Sequence, residues 1–144
     1  MKVSTRTRYG LRAIIRLAQV KDNSPLQVKV IADDQDLSIK YLEQLMAILK
    51  SAGFVRSVRG SKGGYLLARS PETITAKEVF DVLEGRLVPV ECLETNDFCG
   101  KTNKCPARWL WATLQNTVDD VLESVTLKDL VDRNADGGTI NYQI

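Results

Sequence analysis

A chain of 144 residues with 44% hydrophobic side chains can enclose the core of one compact domain, and no apolar run in it approaches the roughly 20 residues of a membrane span. Histidine is absent, which excludes Ser-His and Cys-His catalysis and imidazole metal ligands, and three cysteines are an odd number for a disulfide framework. The net charge of +2 conceals a division: residues 1–70 hold 13 Lys/Arg against 5 Asp/Glu (+8) and residues 71–144 hold 7 against 13 (−6), so the first half suits a polyanion.

The opening Met1-Lys2-Val3-Ser4 lacks the apolar stretch of a signal peptide, and a cytoplasmic location is expected. From Ser4 to about Val20 the apolar Tyr9, Leu11, Ala13, Ile14, Leu17 and Ala18 predict a helix, whose Arg6, Arg8, Arg12 and Arg16 are available to phosphate. Lys21-Asp22-Asn23-Ser24-Pro25 predicts a turn, and Val28 to Asp34 a short helix with Val28, Ile31 and Ala32 inward.

The next stretch organises the rest. Ile39, Leu42, Leu45, Met46 and Leu49 recur at three- and four-residue intervals, with Ser38 suited to the N-cap and Gly53 to a left-handed stop. Lys40, Tyr41, Glu43 and Gln44 occupy the other face near the helix start, where a recognition helix meets base edges. Phe54 to Arg59 and Tyr65 to Arg69 read as strands around the turn Gly60-Ser61-Lys62-Gly63-Gly64, which makes a basic wing. The expected fold is mainly α with a small β-hairpin, a winged helix-turn-helix over residues 1–85.

Thr75-Ala76-Lys77-Glu78 matches a capping box for a helix to Glu84, with Val79, Phe80, Val82 and Leu83 on its buried side and Gly85 as stop. Residues 86–105 are irregular. Pro106 suits the first position of a long helix to about Ser124, striped by Leu110, Leu114, Val118, Val121 and Val125. So much apolar surface at the end of a small domain predicts a dimerisation arm, and residues 106–133, including a cap helix from Thr126 to Val131, are assigned to it. Residues 134–144 read as a tail.

Cys92, Cys99 and Cys105 form a C-x6-C-x5-C pattern in a loop rich in glycine and polar residues. Three soft ligands suit an iron-sulfur cluster or zinc, either of which ordinarily takes a fourth. A thiol redox sensor and incidental thiols are the other readings.

Ser4-Thr5-Arg6-Thr7-Arg8-Tyr9-Gly10-Leu11-Arg12-Ala13, Tyr41-Leu42-Glu43-Gln44-Leu45, Val58-Arg59-Gly60-Ser61-Lys62-Gly63-Gly64-Tyr65 and Val125-Thr126-Leu127 together resemble the winged-helix transcription regulators of the iron-sulfur cluster regulator family (IscR-like, with relatives NsrR and CymR). The resemblance spans residues 1 to about 133 and implies a homodimer, joined through its long C-terminal helix, that binds pseudo-palindromic double-stranded DNA. It assigns Ser38, Lys40, Tyr41, Glu43 and Gln44 to the major groove, and Arg59 and Gly60 to the minor groove. The residue types agree with those roles: Gln44 can pair with an adenine edge, Glu43 can accept from cytosine N4, and Arg59 suits a narrow, negative minor groove.

The resemblance also assigns Cys92, Cys99 and Cys105 to an iron-sulfur cluster, with 4Fe-4S favoured over 2Fe-2S. Two departures bear on the fourth ligand. Where the Cys-x-x-His pattern supplies a histidine ligand this chain has Cys105-Pro106-Ala107-Arg108, and the N-terminal aspartate that completes the cluster of the nitric-oxide sensor NsrR falls at or near Arg8. Glu91, Glu94, Asp97 and an exogenous molecule remain candidates. The expected function is a regulator sensing iron-sulfur status, redox state or nitric oxide; the alternative is a cluster-free, CymR-like repressor controlled by a protein partner or thiol oxidation. An enzyme is not expected, since no substrate-pocket motif, phosphate loop or general base set is present.

Overall fold

The computed structural model describes residues 1–135. In chain order they form α1 (Thr5–Ala18), α2 (Val28–Gln35), α3 (Ile39–Ser51), β1 (Val55–Val58), β2 (Gly64–Leu67), α4 (Ala76–Glu84), α5 (Pro106–Ser124) and α6 (Leu127–Ala135), with single 3-10 turns at Pro71–Thr73, Glu91–Leu93 and Thr102–Lys104. The expected helical fold with a hairpin wing is what the chain adopts.

Local chemistry accounts for most helix boundaries. The hydroxyls of Ser4 and Ser38 cap α1 and α3 by accepting from the amides of Thr7 and Tyr41. Thr75 and Glu78 exchange both bonds of a capping box at α4, and Pro106 opens α5. Gly53, at φ +82°, turns the chain out of α3. α1 has a further cap from a distance: the Glu84 carboxylate, at the end of α4, accepts from the Ser4 amide at 3.1 Å, the Ser4 hydroxyl at 2.5 Å and the buried Thr7 hydroxyl.

One core joins these elements. Ala13, Ile14 and Leu17 of α1 meet Ile31 and Ala32 of α2, Leu42, Leu45, Met46 and Leu49 of α3, Val79 and Leu83 of α4, and Ile74. Two residues expected inside are outside: Ile39 is 45% exposed and Val82 38% exposed. Each lies at the margin of its helix's apolar stripe, where periodicity alone does not distinguish flank from core.

The core also extends past Gly85. Thr75 and Thr126 form an antiparallel bridge, the Ala76 amide donates to the Val125 carbonyl at 2.7 Å, and Leu127 is fully buried. α6 packs on α1, and is longer than the cap expected to end at Val131. Asn134 and Ala135, read as tail, belong to it, and the remainder of the expected tail lies outside the described residues. Among the described residues no helix is long and apolar enough to cross a membrane.

Candidate nucleic-acid interface and cysteine loop

The hairpin is held to the helix-turn-helix by a connection that the sequence does not announce. β1 and β2 pair with Val55 opposite Leu67 and Val58 opposite Gly64. Leu26, just before α2, adds a third edge: its amide and carbonyl bond the carbonyl and amide of Tyr65 at 2.8 and 2.9 Å. Gln27 Nε2 then donates to the Ser61 carbonyl in the wing loop at 3.1 Å. The glycines of that loop are required here. A Cβ at Gly64 would stand 2.3 Å from the Leu26 carbonyl oxygen, and one at Gly63 would stand 2.1 Å from the Val58 carbonyl oxygen. At the exposed junction of α3 and β1, Lys50 Nζ donates to Ser57 Oγ at 2.8 Å.

Ser38, Lys40, Glu43 and Gln44 are exposed at the start of α3, and Arg59 and Gly60 are exposed on the hairpin. Lys40, Arg59 and Lys62 enter no ion pair among the described residues, so their charges are available to a polyanion. Tyr41 differs from its neighbours. It is half-buried, meeting Tyr9 of α1 edge to face at 6.4 Å, while the Arg12 guanidinium lies 5.4 Å from the Tyr9 ring centre. Its ring therefore braces α3 against α1 as well as standing on the candidate interface. Leu26 and Gln27 were missed because their partners are distant in sequence, with the Pro25-Leu26-Gln27 run before a helix as the available signal, whereas Lys50 pairs with Ser57 across the turn between α3 and β1 and carries no mark of its own.

The cysteines have another setting. Cys92 lies in the Glu91–Leu93 turn and lines an open cleft with Val88, Pro89, Val90 and Phe98. Cys99 and Cys105 are exposed, and Cys105 occupies the N-cap of α5 without a side-chain cap bond. All three thiols are free, and among the described residues no group of three potential metal ligands converges. The loop's internal order comes from other groups. The buried Thr102 hydroxyl donates to the carbonyls of Asn96 and Cys99. Arg108, at the position where a histidine would complete Cys-x-x-His, donates from Nε to the Cys92 carbonyl at 3.3 Å and from its terminal nitrogen to Asn96 Oδ1 at 3.0 Å.

The family model for Rrf2, described as an iron-dependent transcriptional regulator, matches residues 3–133. The chain belongs to the Rrf2 family. It is similar to the transcriptional regulator CymR of Bacillus subtilis, at 45% identity over 131 residues that cover 90% of this chain and 89% of that protein. The solved structure of B. subtilis CymR, the global cysteine regulator, superposes with a TM-score of 0.80 over 92% of this chain and 97% of that one, at 44% identity. T. potens IscR superposes with a TM-score of 0.78 at 38% identity, covering 98% and 93%. The oxidized form of Staphylococcus aureus CymR gives 0.73 at 40% identity, covering 91% and 96%. This Rrf2 protein is thus a winged-helix DNA-binding transcriptional regulator and not an enzyme.

Proposed function

We propose that this Rrf2 protein acts in the cytoplasm as a homodimer that puts two α3 helices into major grooves about one helical turn apart, with the wings in flanking minor grooves. The observation that carries this reading is the exposed row Lys40, Glu43 and Gln44 at the capped start of α3, beside a basic wing bound through Leu26 and Gln27 to the start of α2. Ser38 and Tyr41 complete the major-groove set, and Arg59 and Gly60 form the minor-groove contact. Residues 1–85 carry the DNA-binding function, 86–105 the sensing loop and 106–133 the dimer contact, where Leu110, Leu114 and Val121 are left exposed on α5.

Cys92, Cys99 and Cys105 would hold an iron-sulfur cluster, 4Fe-4S in preference to 2Fe-2S. Their soft, free thiols fit that role, and the loop must draw them together to perform it. Bound there, a cluster supplies chemistry sensitive to iron supply, oxidants and nitric oxide. Arg108 cannot ligate, because its guanidinium keeps its proton, so the fourth position falls to Glu91, Glu94, Asp97 or an exogenous molecule. The family's description as iron-dependent and the similarity to IscR support this reading. Coupling of 1 to 3 kcal/mol between loop and DNA face would change operator affinity by roughly 5- to 150-fold.

Anaerobic purification with an absorption spectrum and an iron and sulfide count tests the cofactor, and operator affinity of loaded protein against a triple Cys→Ala variant tests the control. Equal affinity at every operator excludes cluster control. The second reading, a cluster-free repressor governed by thiol oxidation or a protein partner, is favoured by the dispersed thiols and by the arginine at position 108. Iron-free protein whose affinity changes on oxidation supports that alternative.

A further inference from the structure

The outward face of α3 is not uniformly polar. Ile39 stands at the margin of the buried stripe, on the edge it shares with Glu43 and Lys50, and is 45% exposed in the first turn of the helix. It is not among the buried residues that form the core. Nor is it needed to fasten the helix start, because the positions a hydrophobic staple uses, one before the cap and fourth in the helix, are held by Leu37 and Leu42. Ile39 and Glu43 are four residues apart and so share one stripe of the helix surface. A branched apolar side chain beside Glu43 offers no hydrogen bond. In the major groove it has one apolar counterpart on the base edges, the C5-methyl group of thymine.

We propose that Ile39 is a specificity-determining residue that contacts a thymine methyl in each half-site, next to the base pairs facing Glu43 and Gln44. The inference rests on α3 being the reading helix. A duplex selected by the protein from a random pool is the probe, and each of its thymines is replaced in turn by deoxyuridine, which removes one methyl and leaves the hydrogen-bonding edges unchanged. The wild-type protein is expected to lose about fourfold in affinity per half-site at one symmetry-related pair of positions, the size of one buried methyl contact. Ile39→Ala, checked for native ellipticity and thermal midpoint, is expected to bind the thymine and uracil forms equally there, and Ile39→Val to retain the preference. Wild-type indifference to every methyl in the selected site, or a full preference retained by Ile39→Ala, overturns the assignment and leaves α3 as the reading helix. Failure to select any duplex overturns both.

Discussion

Gly64 shows how one atom can decide the wing. Its φ of +152° and the Leu26 carbonyl, 2.3 Å from where a Cβ would be, leave no room for any other residue without moving backbone. Gly64→Ala is expected to lower stability by about 2 kcal/mol, read as a lower urea midpoint, together with weaker DNA binding because the hairpin leaves the Leu26 edge. Glu84 makes a different contribution. Hydrogen bonds from Ser4 first and Thr7 second hold its carboxyl below the usual glutamate range. A carboxylate with a depressed pKa stabilises the fold above its unfolded-state value and loses that contribution as pH falls through the folded-state value. The stability difference between wild type and Glu84→Gln is therefore expected to be constant above about pH 5 and to shrink below about pH 4.3. A difference that does not change in acid would remove Glu84 from the capping role.

α3 and the wing are expected to respond differently to substitution. Arg59→Ala removes a charge from the wing, so the salt dependence should flatten by about one unit of slope and affinity should fall most for operators whose flanks are A·T-rich and narrow in the minor groove. Glu43→Ala should change the ratio of affinities between operators, measured by competition on two selected sites; an unchanged ratio excludes selectivity by Glu43. Much of this scale was legible in advance because it is local. Ser38, the Thr75-to-Glu78 box and Pro106 act on groups within a few residues, so the helix starts follow from the chain alone. What joins the elements did not. Gln27 and Ser61 are 34 positions apart, Ser4 and Glu84 are 80 apart, and neither bond leaves a periodic trace. The exposure of Ile39 was hidden for the converse reason: it satisfies the apolar spacing of a face it does not join.

For the whole molecule, the basic first half and acidic second half agree with a DNA-binding head and a separate contact between copies. Leu110, Leu114 and Val121 are 51%, 44% and 57% exposed on α5, well over what a lone helix face in water favours. Leu114→Asp combined with Val121→Asp is expected to halve the mass seen by sedimentation and to reduce affinity for a two-half-site duplex far more than for a single half-site. A species of unchanged mass would place the dimer contact elsewhere. The three thiols were legible in the chain, but their separation in the folded loop and the way Arg108 and Thr102 tie its carbonyls were not, since neither residue type is diagnostic of loop order.

α5 is moored unevenly. Its far end is fastened to the head by the Lys77 to Asp119 ion pair, by the bridge between Thr75 and Thr126 and by Leu127, whereas its near end meets the cysteine loop through Arg108. A rod pinned at one end pivots there. In the homodimer proposed above, a rearrangement around the thiols would act on the near end alone and change the bearing of Leu110 and Leu114, re-spacing two reading heads along the duplex without unfolding either.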